Sequence, residues 1–462
     1  MRLSFLNREN EFRRLKRAIT APQGSFCCLY GRRRCGKSRL LRQLLPEGRS
    51  VYYVGDRREA GLQRTALAEA VGLLLPGFDD VAYPDWLALL KRWWNEAPPG
   101  GVLSLDEFPY LVDVSPELPS LLQKLVDENA EKPLHLILSG SSQRMMQGLV
   151  LDESEPLYGR AREIIHVRPL GAAWLQRAFG TDSADELVAD YAVWGGIPRY
   201  WELATDFGAL WDAVESLVFD PLGVLHQEPG RLLNDDMRDT VQASSILAVV
   251  GRGCHRLSEI AGRLGKPATS LTRPIRRLLQ LGLLRRDVPF GHSPESSKST
   301  VYSIADPFLM FWFRFVDPNR SRLGAGALDS VTQEVQKVFP IHKGAVWEQL
   351  VRTAIPRLAL GEMIWGPASR WWGPGIDHRP MEIDVVAESE DRRSLLVGEV
   401  KLSVSSTDIP RIETDLVNKA RRLPFLGTSV SILPFVFSVN QDPHVPAGNR
   451  AVTAEQVLSA LT

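Results

Sequence analysis

Residues 25–45 read SFCCLYGRRRCGKSRLLRQLL. The run from Ser25 to Tyr30 carries no charge and predicts a short buried strand. Leu40, Leu41, Leu44 and Leu45 recur at helical spacing and predict a helix after it. Between them lies Gly31-Arg32-Arg33-Arg34-Cys35-Gly36-Lys37-Ser38, a G-x-x-x-x-G-K-[ST] loop. Glycines at these positions let backbone N–H groups turn inward around phosphate oxygens. Lys37 neutralises charge on the outer phosphates, and the Ser38 hydroxyl can ligate Mg²⁺. Strand, loop and helix in this order predict an α/β domain built on a parallel sheet. The eight loop residues, with Arg39 directly after them, are the candidate nucleotide contacts.

Two further strand ends extend the site. GGVLSLDEFPYLV (100–112) predicts an apolar strand closing on Asp106 and Glu107. In P-loop enzymes an acid at this position holds Mg²⁺, and Glu107 beside it is placed to polarise the attacking water. LHLILSGSS (134–142) ends a third strand in hydroxyls, where Ser139 is the candidate sensor of the terminal phosphate. ATP and Mg²⁺ are the expected cofactors, and hydrolysis the expected chemistry.

This combination resembles the AAA+/STAND group of ATPases, and among them the ATPases typified in archaea. FLNRENEFRRL (5–15) is similar to the opening box of that group, and the resemblance implies that Arg8 and Glu9 begin a helix near the adenine. LYGRAREIIHVRPL (157–170) is similar to its Gly-Arg turn, which makes Arg160 the candidate charge-sensing or finger arginine, acting through a homo-oligomer. WGGIPRYWEL (194–203) is similar to the Gly-x-Pro element of the lid, which implies that Pro198 touches the nucleotide, with Arg199 beside it.

The bulk numbers set the frame. A chain of 462 residues is too long for one ordinary core and divides into several domains. Lys+Arg and Asp+Glu both number 55, so nucleic-acid affinity has to come from local patches rather than net charge. Cys27, Cys28, Cys35 and Cys254 form no metal-ligand spacing and no disulfide framework, which fits a reducing compartment. No apolar run is long enough to span a bilayer, and the first residues lack the apolar core of a secretory signal. A cytoplasmic protein without membrane contact is expected.

Residues 240–287 predict a winged helix-turn-helix. Leu257, Ile260, Ala261 and Leu264 mark one helix; Ile275, Leu278, Leu279 and Leu281 mark a second beyond a Gly-Lys-Pro turn; two strands flank a wing. Thr269, Ser270, Thr272, Arg273, Arg276 and Arg277 fall on the second helix as candidate phosphate and groove contacts. The stretch 308–316 is too aromatic for a surface and is read as a cap or junction.

The carboxy-terminal part contains MEIDVVAESEDRRSLLVGEVKLS (381–403), two strands joined by a polar turn. Period-2 geometry puts Asp384 on one face of the first strand, and Glu399 with Lys401 on one face of the second. Two carboxylates beside an ammonium make a hard-oxygen Mg²⁺ site, with a cation able to orient or deprotonate water. The spacing resembles the PD-(D/E)xK superfamily, the fold of many restriction endonucleases, although "EID" replaces its proline. The resemblance implies that Glu348, on the preceding helix, joins the catalytic set.

The expected plan is therefore an ATPase domain over 1–200, a helical lid over 201–240 and a winged helix over 241–305. A junction over 306–335 and a nuclease-like domain over 336–462 follow. Double-stranded DNA is the expected partner.

Overall fold

The computed structural model describes residues 5–237, 239–293, 299–427, 430–441 and 450–461. The chain divides into two compact units. Of the described residues, one unit comprises 5–170 with 234–237; the other comprises 171–233 with those from 239 to 461.

The first unit holds a five-stranded sheet of β1 (Ser25–Tyr30), β2 (Ser50–Val54), β3 (Val102–Asp106), β4 (His135–Gly140) and β5 (Glu163–His166) in the order β2-β3-β4-β1-β5. Every pairing is parallel. Helices cover the sheet, so β1, β3 and β4 are buried at every position. That double burial is why they appear in the sequence as apolar runs without alternation. Phe26, Trp86, Trp93, Leu103 and Leu136 belong to its core. Parallel pairing also brings Tyr30, Asp106 and Gly140 to one edge of the sheet. In such sheets the carboxyl ends of the strands are where ligands bind.

The second unit opens with short helices, among them Ala184–Trp194 and Pro198–Ala204. Helices Thr240–Gly251, Leu257–Leu264 and Ala268–Gln280 follow, then β6 (Leu284–Asp287) and β7 (Val301–Ile304), paired antiparallel. The aromatic stretch is buried: Phe311 meets Phe219, Phe315 and Phe339 with ring centroids 5.9, 5.1 and 6.3 Å away. A helix of 27 residues, Leu328–Ala354, runs from there into the carboxy-terminal sheet.

That sheet contains β8 (Ser369–Pro374), β9 (Pro380–Glu388), β10 (Ser394–Val404), β11 (Ser431–Gln441) and β12 (Ala451–Thr453), in the order β12-β11-β10-β9-β8. The β8/β9 and β9/β10 pairs are antiparallel; β10/β11 and β11/β12 are parallel. The crossover from β10 to β11 carries helix Ile409–Ala420, whose Leu416 and Ala420 pack on Ile383 and Val397. No described helix is long and apolar enough to cross a membrane.

Candidate functional site

At the carboxyl end of β1 the chain turns through Gly31 at φ +153°, where a Cβ would meet the Val167 carbonyl oxygen at 2.3 Å. Gly36 has φ +93° and starts helix Lys37–Leu44. Both positions need glycine, one for close backbone approach and one for handedness. Lys37 is buried, and its Nζ donates to the Gly31 and Arg32 carbonyls at 2.7 and 3.0 Å. Burial pulls the ammonium's pKa down, against the nearby Cys35, Glu107, Asp106 and Asp236. Arg8 lies against the loop: its Nη2 donates to the Cys35 carbonyl at 3.1 Å and the Arg168 carbonyl at 2.7 Å. It therefore ties the loop backbone to the segment after β5.

Among the other loop residues, Arg32 and Cys35 are buried. Arg33 pairs with Asp235 at 3.5 Å, Arg34 takes a left-handed φ of +67°, and the Arg39 guanidinium sits 5.7 Å from the Phe5 ring centroid. Asp106 accepts the Glu107 N–H at 3.0 Å and the Tyr52 hydroxyl at 2.6 Å. Ser38 is within hydrogen-bonding reach of the same phenol. Ser38, Tyr52 and Asp106 thus form one chain of oxygens, in which the sequence reading missed Tyr52. Tyr52 lies on β2, directly beside β3, a neighbourhood that only the folded sheet creates.

Glu107 follows with φ +50°, a left-handed conformation that costs a non-glycine residue about 1–2 kcal/mol. Its carboxylate accepts from the Ser141 hydroxyl at 2.9 Å. Ser139 is fully buried inside β4, and its Oγ has no hydrogen-bond partner among the described residues. Asp235 and Asp236, at the end of helix Glu228–Asp236, also join the loop's unit. Asp236 accepts from the Ser142 hydroxyl at 3.3 Å and the Arg144 N–H at 3.2 Å. Burial pushes the Asp235 carboxyl up, partly offset by Arg33. These two acids lie far along the chain in an otherwise uninformative helical stretch, so nothing local marked them.

Arg160 and Pro198 are placed on other elements. Arg160 pairs with Asp127 at 2.8 Å and lines a cavity of about 410 Å³ with Gly24 and Ser25, at the opposite end of β1 from the loop. Pro198 belongs to the second unit, as the first residue of helix Pro198–Ala204, and Arg199 pairs there with Glu202 at 2.6 Å.

In the carboxy-terminal sheet, the β9/β10 ladder runs to Val385 and Gly398. One step further would set Asp384 opposite Glu399, and like charges directly opposed are destabilising. Asp384 instead turns its Oδ2 to accept the Val400 N–H at 2.9 Å. The Lys401 ammonium donates to Glu399 at 2.7 Å, and Lys419 reaches the other Glu399 oxygen at 3.8 Å. Trp347 docks the long helix on β10 by donating to the Lys401 carbonyl at 3.1 Å. Glu348 is the next residue, and Arg352 bridges it at 3.3 Å to the Asp384 carbonyl at 2.9 Å. Arg352 was missed, although it stands one helical turn beyond Glu348.

Burial, then the charges of Glu399 and Glu348, push the Asp384 carboxyl up to about 7, against the Val400 N–H and Lys401. The structure thus brings Glu348, Asp384, Glu399 and Lys401 into one electrostatic cluster. Among the described residues no group of three or more His, Cys, Asp or Glu stands together at metal-binding geometry. Asp384 and Glu399 contribute two carboxylates to the cluster, hard oxygens of the kind Mg²⁺ takes.

On helix Ala268–Gln280, Thr269, Ser270, Thr272, Arg273 and Arg276 are exposed. Ser270 and Thr272 spend their hydroxyls on the Pro267 and Ala268 carbonyls, and Arg277 donates to Gln280 at 3.3 Å.

Residues 5–203 match the family described as an ATPase domain predominantly from Archaea, and residues 312–412 match DUF234, described as archaeal and bacterial proteins of unknown function. The chain is 28% identical over 424 residues to an uncharacterized protein of Methanocaldococcus jannaschii, spanning 90% of this chain and 92% of that one. Its fold is similar to that of the Walker-type ATPase of Pyrococcus abyssi, with a TM-score of 0.52 and 20% identity. That likeness covers 67% of this chain and 96% of the other. The amino-terminal region is an archaeal-type P-loop ATPase domain, and a DUF234 domain follows it.

Proposed function

We propose that this archaeal-type ATPase hydrolyses ATP and couples it to Mg²⁺-dependent cleavage of DNA by a carboxy-terminal domain of the PD-(D/E)xK type. The observation that carries the reading is the convergence of Glu348, Asp384, Glu399 and Lys401 from one helix and two strands. In this reading the chain is divided as the motifs divide it: ATPase domain, lid, winged helix, junction and nuclease-like domain.

Bound Mg²⁺ supplies positive charge to phosphoryl oxygens, with Ser38 and Asp106 to hold it in the ATPase domain and Asp384 and Glu399 to hold it in the nuclease-like domain. Lys37 presents an ammonium to the outer phosphates, and Arg8 keeps the loop backbone in place for them. Glu107 is fixed by its turn and by Ser141, which suits a carboxylate that orients water for attack. Ser139 senses the terminal phosphate, Pro198 closes the lid over the nucleotide, and Arg160 reaches the nucleotide of a neighbouring copy in a homo-oligomer. In the nuclease-like domain Lys401 orients the attacking water. The winged helix supplies Arg273, Arg276 and Arg277 to the phosphates of double-stranded DNA. Four free cysteines support a reducing, cytoplasmic setting.

A second reading is favoured by one contact. Glu399 is already held between two lysines, as a strand that never binds metal would hold it. The protein is then a STAND-type, nucleotide-dependent switch that binds DNA without cutting it. Incubating wild type and Asp384→Asn with plasmid, in Mg²⁺ and in EDTA, separates the two. Cleavage by wild type alone, and only with metal, supports the nuclease; retention of DNA without cleavage supports the switch.

A further inference from the structure

We propose that a basic cavity in the second unit, walled by β6, β8 and the long helix, binds one unpaired strand of nucleic acid and leads it past Glu348. Nucleic acid as the ligand rests on the nuclease reading; the anionic character of the ligand rests on the cavity alone. The cavity measures about 800 Å³, and Arg252, Arg285, Arg314, Arg352, Arg357 and Arg370 line it, against the single acid Glu348. A second cavity of about 390 Å³ adjoins it, sharing Gln349, Arg352, Thr353 and Arg370 and adding Arg286 with the acid Asp287, which is the partner of Arg285.

The internal pairing leaves positive charge over. Arg252 has Asp317 at 2.8 Å, Arg285 has Asp287 at 3.1 Å, and Arg352 has Glu348. Arg370 reaches Glu382 only at 3.7 Å. Arg314 and Arg357 make no ion pair with another described residue; Arg314 lies 5.3 Å from the Phe315 ring centroid, which is no counter-charge. Arg314 is half-buried, and burial pulls its pKa down. A guanidinium taken out of water without an anion is costly, and a phosphate removes that cost.

Shape selects the form of the anion. Apolar side chains such as Val250, Met310 and Val346 share the wall with the arginines. Charged and apolar groups side by side suit a nucleotide unit, phosphate on guanidinium and base against the apolar wall. The volume lies in the range that encloses a small ligand, about 300–1,000 Å³. It has no room for two paired strands. Two such spaces with a common wall suit successive nucleotides, whereas a free mononucleotide would fill one.

The test is fluorescence anisotropy with a labelled 12-mer single strand and the duplex of the same sequence. EDTA is present throughout, so cleavage cannot enter. Wild type is expected to bind the single strand, and the cavity variants to lose that binding while keeping the duplex binding assigned to the winged helix. The double variant Arg314→Gln/Arg370→Gln should lower the slope of log affinity against log salt by about 1.4, near 0.7 for each phosphate contact on a single strand. Arg314→Lys/Arg370→Lys should keep most of that slope. If Arg314→Gln does not fold, as judged by thermal unfolding, Arg357→Gln/Arg370→Gln carries the same expectation. Unchanged single-strand binding by the folded Gln variants overturns the proposal, as does an equal loss of duplex binding in them or equal competition by AMP. Strand binding of the expected kind with no cleavage in Mg²⁺ or Mn²⁺ removes the nuclease reading and leaves the cavity's role standing.

Discussion

Asp384 holds its carboxyl where burial, Glu399 and Glu348 all oppose ionisation, so it keeps its proton up to about pH 7. An unfolded aspartate loses that proton near pH 4. The folded state thus binds the extra proton between those values, and the stability it contributes is present below about pH 4 and lost as pH rises through 7. Asp384→Asn removes this burden. The variant should be more stable than wild type at pH 8 by roughly 2 kcal/mol, allowing for solvent around a half-buried group, and nearly equal to it at pH 4. Thermal unfolding at both pH values checks this, and an Asn variant that melts earlier at pH 8 contradicts it. Cleavage should also rise about tenfold per pH unit below 7, because a metal ligand must first lose its proton. At the ATPase loop, Lys37→Ala should weaken ATP binding by about 1.5–3 kcal/mol, roughly 10–150-fold, and abolish turnover. Glu107→Gln should bind ATP as wild type does and hydrolyse it about 10²–10⁴-fold more slowly. Calorimetry and phosphate release measure both, and equal turnover by Glu107→Gln would mean that another group orients the water.

At the scale of the element, legibility followed the distance over which the signal is spread. The loop from Gly31 to Ser38 was readable because its residues are contiguous and each has a chemical reason for its place. The strand pair carrying Asp384, Glu399 and Lys401 was readable because alternation fixes which side chains share a face. Tyr52, Asp235 and Asp236 were not readable, since they meet the loop only through a neighbouring strand and a returning helix. Arg352 could have been found one turn from Glu348, but its contact with the Asp384 carbonyl depends on how the helix docks. The same long helix carries His342, fully buried among Phe311, Phe315 and Phe339, with its Nε2 2.8 Å from the Ala192 carbonyl. Burial pulls its pKa to about 4. The neutral ring is the stable one, so the contribution is present above pH 6.5 and is lost as pH falls toward 4, by on the order of 3 kcal/mol. His342→Gln should flatten that acid limb of the stability profile, measured by denaturant unfolding between pH 7 and 4. An unchanged limb would assign the acid sensitivity to other groups.

At the scale of the whole molecule, an ATPase domain of archaeal type and a DUF234 domain share one chain, and the proposed function joins them by making DNA cleavage answer to ATP. The loop, the β3 acids and the β9/β10 cluster each have the chemistry for a separate step, and the proposal stands on their being coupled. The most direct measurement is the initial rate of DNA cleavage by the purified full chain in Mg²⁺, with and without ATP, for wild type, Lys37→Ala and Lys401→Ala. Wild type should cut at a rate that changes when ATP is added. Lys37→Ala should cut at a rate indifferent to ATP, and Lys401→Ala should not cut under either condition. No metal-dependent cleavage by wild type, with or without ATP, would contradict the account.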